Sequence, residues 1–430
     1  MLASVQNPAD KVKPAPSSPS NRGTPFAYKK GTIVPPPIAA QAKQVEQSRS
    51  KTTAPIPTSG QADLPQVKLS ELQLGKLLGH GSYSSAYEIN SSNNSDDGDD
   101  DKKQQILKQL SPKVKENPLM FAACAADLIQ EGQILHFIGA SHANILDIYA
   151  WTGPNMIADY MQGNPDNCSL VLEQLVETLE DKLKAWKLES DSLWYFLLYE
   201  ETIQPEYLKR LAEKCRHILG MAKALEHLHQ HRVLHRDLKP ANIGFNQQGV
   251  LKVFDFDLAR VLPKATNDDD LFQMTPTVGS PRYMAPEIKL KQKYNCSADV
   301  YSFGILVYQM LTLEVPISST VRDWSTHNKY IPKDWSLETR EVMGNCLQGA
   351  ENLTQRPSMA KVVAELLSNN NDKCATTPSA TMTTTTSKAL NSEDADETEI
   401  EETTTDDVAD NCCDKQPTNG PEPEKKGWFW

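Results

Sequence analysis

The chain has little that would cross-link it or carry it into a membrane. Its eight cysteines stand singly apart from Cys412 and Cys413, with no Cys-x-x-Cys pair and no regular spacing. That usage indicates neither a zinc site nor a disulfide framework, and it fits a reducing compartment. Long apolar runs are missing as well: Leu193 to Tyr199, for one, falls far short of the roughly 20 residues that span a bilayer. Met1 to Asp10 lacks the basic region and apolar stretch of a secretion signal. Nor is there an excess of positive charge; a formal net charge of −12 argues against broad nucleic-acid binding through phosphate neutralisation. The expectation is a soluble protein of the cytoplasm or nucleus, with no transmembrane segment and no nucleic-acid partner.

What is present is enough apolar material, 39% of 430 residues, for one large domain or two ordinary ones with chain left over. The surplus lies at the ends. Residues 1–68 are rich in Pro, Ser, Ala, Gln and Lys and show no periodicity, so they read as a disordered tail. The run Pro35-Pro36-Pro37 makes that tail a candidate ligand for an SH3-like or WW-like partner, although a plain solvated tail is the favoured reading. Residues 368–430 carry threonine runs and acidic clusters and read as a second disordered tail, ending on Trp428-Phe429-Trp430.

Between the tails, strand-like segments come first and long helical ones follow. The order implies an α+β protein with a small β-rich lobe over 69–174 and a larger helical lobe over 175–367. Leu208, Leu211, Cys215, Ile218, Ala222 and Leu225 recur at three- and four-residue steps behind Pro205, predicting one long amphipathic helix. Val300 to Leu311 is apolar nearly all round, as a buried helix requires. Val250 to Phe254 reads as a short strand, and Asn90 to Asp101 as a polar hairpin tip.

Several segments carry chemistry. In Leu78-Gly79-His80-Gly81-Ser82-Tyr83-Ser84-Ser85-Ala86-Tyr87, two glycines sit inside a strand-turn-strand pattern, where backbone amides can approach phosphate oxygens. Alone this is a weak signal, since glycines so spaced also occur in ordinary hairpins. Lys108, in the strand-like Ile106-Leu107-Lys108, could pair with phosphates between two lobes if an acidic partner holds it. Glu131 on the helical stretch Asp127 to Phe137 is the natural partner, although spacing does not select it over Asp127. Then come His235-Arg236-Asp237-Leu238-Lys239-Pro240-Ala241-Asn242, Asp255-Phe256-Asp257 and Ala285-Pro286-Glu287.

Taken in order, these segments resemble the eukaryotic protein kinases over roughly Leu69 to Leu367. The resemblance implies a bilobal fold, ATP and Mg²⁺ as cofactors, and protein substrates phosphorylated on serine or threonine. It gives Asp237 the task of orienting the substrate hydroxyl and accepting its proton, Asn242 and Asp255 the metal ions, and Lys108 with Glu131 the α and β phosphates. Lys239 is implied beside the transferring phosphate, as in serine/threonine enzymes. Leu78, Gly79, Gly81 and Ala86 are implied around the nucleotide. Leu170 to Leu175 resembles the hinge, with Leu172 as gatekeeper and the backbones of Glu173 and Leu175 facing adenine; a plain core strand is the weaker alternative. Asp299 resembles the aspartate that ties down the catalytic loop, and Glu287 is implied to pair with Arg356. Arg236 is implied to bind a phosphate on the activation segment, with Thr275 or Thr277 as its carrier and Ser280 in the substrate-docking floor. Gly279 to Met284 with Asp299 to Gly304 is similar to the tyrosine-kinase-like group.

Two positions depart from the pattern. Asp257 stands for the glycine of D-F-G, where a backbone with φ above zero is expected to cost an aspartate about 1 kcal/mol and to slow a flip. Ser84 stands for the third glycine of the nucleotide loop. The alternative they raise is a pseudokinase scaffold with weak or no phosphotransfer. Phosphotransfer to a small molecule is disfavoured, because Gly279 to Glu287 forms a complete A-P-E segment.

Overall fold

The computed structural model describes residues 54–56, 64–81, 83–90, 104–138, 142–153, 167–197, 204–264, 267, 270–317, 332 and 335–375. The polyproline run, most of the acidic insertion, Ser82, the carboxy-terminal aromatic residues and most of both expected tails lie outside them.

Five strands build the first part: β1 (Gln73–His80), β2 (Ser84–Asn90), β3 (Gln105–Leu110), β4 (Ile148–Trp151) and β5 (Ser169–Glu173). They form one antiparallel sheet in the order β1-β2-β3-β5-β4. β3 and β5 are its central strands and are buried nearly throughout, which suits their Ile, Leu and Val content. Lys108 is one of the few polar residues buried with them, paired in register with Ala86 on one side and Leu170 on the other. The helix Pro118–Phe137 lies against this sheet. At Gly132 the approach is tight: an added Cβ would stand 3.0 Å from the Leu170 side chain. A small residue there lets the neighbouring Glu131 reach β3.

The second part is mainly helical. After β6 (Glu177–Thr178) come the helices Leu179–Leu197 and Gln204–Gln230, then β7 (Val233–Leu234), β8 (Ile243–Phe245), β9 (Leu251–Val253) and β10 (Arg260–Val261). β6, β8 and β9 make a three-stranded sheet, and β10 pairs with β7. The predicted periodicity of the Gln204–Gln230 helix holds at Ile218, Ala222 and Leu225, all wholly buried, but Leu208 faces solvent. Ser297–Thr312 is buried nearly all round, as its composition requires. One apolar cluster runs from Ile106 and Leu172 through Leu225 and Phe256 to Val363, so both parts share a core. No described helix is long and apolar enough to cross a membrane.

Ordered packing extends past both expected boundaries. Leu64 is buried, the Trp151 N–H donates to the Pro65 carbonyl, and the Val67 N–H donates to the Trp151 carbonyl. These contacts lengthen the sheet at its β4 edge, within the segment that composition alone assigns to the tail. At the other end, the helix Met359–Ala375 runs beyond Leu367 and packs on Gln204–Gln230.

Candidate active site

Lys108 is the centre of the site. Its Nζ lies 2.7 Å from one Glu131 oxygen and 3.0 Å from the other, so the pairing left open between Asp127 and Glu131 falls on Glu131. The two side chains are almost fully buried. The same Nζ is 3.3 Å from Asp255 and 3.4 Å from Asp257. Burial opposes the ammonium charge, yet the carboxylates of Asp257, Glu131 and Asp255 outweigh it and hold the lysine well above its usual pKa. Burial pushes the Asp255 carboxyl up, against the attraction of Lys108. One oxygen each of Glu131, Asp255 and Asp257 lie within 4.8 Å of one another, a set of hard donors of the kind that holds Mg²⁺.

The backbone at Asp255-Phe256-Asp257 corrects one expectation. The left-handed conformation falls on Asp255, with φ of +66°, while Asp257 is not among the described residues with positive φ. Aspartate tolerates that region better than most residues. Substitution of the glycine therefore carries no left-handed strain in this state; its consequence is the charge it brings to Lys108.

The loop His235–Asn242 is fixed from below by Asp299. Its two oxygens accept from the N–H groups of His235 at 2.8 Å and Arg236 at 3.0 Å. Burial alone would raise the Asp299 carboxyl, but His229 and the loop beside it bring it below its ordinary value. Arg236 takes a left-handed φ of +69°, a strain that this anchoring sustains. His235 accepts from the Asp237 N–H at 3.3 Å, which leaves its Nε2–H to donate to the Phe254 carbonyl at 3.1 Å.

Asp237 itself is held on three sides. Lys239 Nζ donates to Oδ2 at 2.7 Å and Asn242 Nδ2 to the same oxygen at 3.1 Å. Oδ1 accepts from the Ser280 N–H at 2.8 Å. The charge of Lys239 is also felt by Asp255 and Asp257, which brings the loop and the Asp255 segment into one electrostatic site.

The remaining residues fall as follows. Gly79 pairs with Ala86 across β1 and β2, Ala86 is fully buried next to Lys108, and Leu78 is half-buried. Gly81 donates to the Ser84 carbonyl at 2.8 Å, closing the turn between these strands. Leu172 is fully buried on β5. The Glu173 N–H is spent on the Asp147 carbonyl at 3.0 Å, and Leu175 packs against Gly244, where an added Cβ would stand 2.6 Å from it. Arg236 donates to the Leu258 carbonyl at 2.6 Å and to the Tyr294 hydroxyl at 3.3 Å, while Thr275 and Thr277 are exposed. Arg356 and Glu287 form a fully buried two-armed pair at 2.7 and 2.9 Å.

Sequence reasoning missed three contributors. The Glu173 side chain joins Lys252 at 2.9 Å and Asn246 at 3.0 Å in a network at the end of β5. Lys252 gave no motif signal, although a lysine inside an apolar strand was a hint. Tyr294 bridges Arg236 to the Thr275 carbonyl, at 2.9 Å from the latter. The role of Asp257 as a partner of Lys108 could be suspected from D-F-D, but not its direction.

Residues 72–418 match the family profile described as "Protein kinase domain". Among similar proteins, Serine/threonine-protein kinase STY46 of Arabidopsis thaliana is 25% identical over 335 residues, covering 75% of this chain and 48% of that protein. Mitogen-activated protein kinase kinase kinase 2 of the same plant is 28% identical over 197 residues, or 44% of this chain and 30% of that protein. Putative mitogen-activated protein kinase kinase kinase 7-like of Drosophila melanogaster is 28% identical over 316 residues, 70% of this chain and 66% of that protein. The chain thus spans half or less of the length of the first two. With the profile covering most of its length and the Lys108–Glu131 pair set beside the Asp237 loop, the chain belongs to the protein kinase family, with distant serine/threonine kinases among its relatives.

Proposed function

We propose that this chain is a protein kinase that transfers the γ-phosphoryl group of ATP, with Mg²⁺, to serine or threonine hydroxyls of protein substrates. The observation that carries the reading is the Lys108–Glu131 ion pair at 2.7 Å, in one electrostatic site with Asp255 and Lys239. The donor chemistry fits the cofactors. Asp255 offers carboxylate oxygens, and Asn242 spends its amide nitrogen on Asp237, which keeps its oxygen as the group a hard cation takes. Bound together, ATP and Mg²⁺ supply an electrophilic phosphoryl group whose charge the metal partly neutralises.

The chain's own residues do the rest. Lys108, held by Glu131, positions the α and β phosphates. Asp237 orients the substrate hydroxyl and accepts its proton, and Lys239 stabilises the charge that spreads over the transferred group. Leu78, Gly79, Gly81 and Ala86 cover the nucleotide, and the backbones of Glu173 and Leu175 meet adenine. Lysine at position 239 and the named relatives support serine and threonine as acceptors. Arg236 together with Thr275 or Thr277 serves regulation.

The test is radiolabel transfer from ATP to a generic basic protein, comparing the natural chain with Asp237→Asn. Transfer that drops to background in the variant supports the reading; equal background in both leaves the second reading, a scaffold built on the kinase fold, which the Asp257 carboxylate beside Lys108 favours.

A further inference from the structure

Asp257 adds a charge where the family's D-F-G pattern has none. Its Oδ1 is 3.4 Å from Lys108 Nζ, so three carboxylates share one ammonium and the cluster carries a formal charge of about −2 where a glycine would leave −1. Asp257 and Asp255 stand at nearly equal distances from that ammonium, 3.4 and 3.3 Å, outside the tighter Glu131 pair.

We infer that Asp257 is a specificity-determining residue that makes nucleotide binding depend on a divalent cation to a degree that a glycine would not. This rests on the reading of Lys108 as the phosphate-binding lysine. Without a cation, phosphates approaching Lys108 meet a net negative cluster, and Asp257 is the member that can be removed while sparing both the Lys108–Glu131 pair and the Asp255 carboxylate. With a cation the same carboxylate becomes attractive, because its oxygen lies within 4.8 Å of those of Asp255 and Glu131. The side chain is 38% exposed, so solvent weakens the repulsion and the effect is about tenfold in affinity rather than a hundredfold.

The experiment measures ADP binding by calorimetry in EDTA and in Mg²⁺ for the natural chain, Asp257→Asn and Asp257→Gly. Asparagine removes the charge while keeping shape; glycine also frees the backbone. The expected result is that both variants bind metal-free ADP about tenfold more tightly and ADP in Mg²⁺ no more tightly, so that the ratio of the EDTA to the Mg²⁺ dissociation constant falls at least about tenfold. An unchanged ratio in both overturns the inference, as does a change confined to the glycine variant, which would trace the effect to backbone freedom. If the natural folded chain fails to bind ADP even with Mg²⁺, the nucleotide reading itself is lost and the inference with it. The two failures are therefore distinguishable.

Discussion

The Ser280 N–H donates to Oδ1 of Asp237 at 2.8 Å, tying the Gly279-Ser280 turn directly to the carboxylate proposed for proton acceptance. Gly279 makes that bond possible. Its φ is +100°, and a Cβ there would run into the Arg236 carbonyl oxygen. Gly279→Ala is expected to lower kcat at least about tenfold, because the reacting groups shift out of register. Steady-state kinetics on the folded variant checks this; an unaltered kcat means that the Ser280 bond is dispensable.

The Arg236 guanidinium touches the Tyr294 hydroxyl, and that hydroxyl donates to the Thr275 carbonyl. A phosphate on Thr275 or Thr277 would find this arginine one hydroxyl away and draw the segment inward. The Thr275→Ala, Thr277→Ala double variant should lose roughly tenfold in activity, about 1.4 kcal/mol of activation free energy. Full activity in that variant removes the phosphorylation proposal.

Glu287 and Arg356 are both wholly buried and joined by two hydrogen bonds. Truncating one partner leaves the other charge unpaired in the interior. Arg356→Ala is expected to cost about 3–5 kcal/mol in urea or thermal unfolding. A cost under about 1 kcal/mol would mean that water enters to solvate the unpaired carboxylate.

Burial depresses the His217 imidazole to a pKa of about 4 despite Glu213 beside it. The neutral ring is the one the folded state prefers, so its contribution is fully present above the unfolded value near 6.5. As pH falls from there to about 4, the unfolded chain gains the proton first and stability drops, by about 3 kcal/mol at most. His217→Gln should flatten this part of the pH–stability curve; an identical slope in the variant refutes the assignment.

Leu64 is 6% exposed and belongs to the main apolar cluster. If the domain begins here rather than at Leu69, Leu64→Ala costs about 2–4 kcal/mol. Chemical denaturation that finds no change would return the boundary to its composition-based place.

Much of the site was legible because the chemistry is written in short contiguous segments. Asp237, Lys239 and Asn242 sit in one loop, and their spacing alone brings them together, as the bonds from Lys239 and Asn242 to Asp237 show. The partners of these segments were harder to read. Lys108 meets Glu131 across 23 residues and Asp257 across 149, and a pairing of that range depends on how a helix is rotated and how closely it approaches a sheet. Gly132 against Leu170 settles that approach, and no local pattern announces it.

The order of motifs along the chain determined the family without coordinates, because each motif is local and is read from contiguous residues. Packing alone decided which acid holds Lys108, that the left-handed residue is Asp255 rather than Asp257, and that the sheet edge reaches back to Pro65. Those outcomes come from side chains and backbones far apart in sequence competing for the same buried volume and hydrogen-bonding groups, which a linear pattern does not encode.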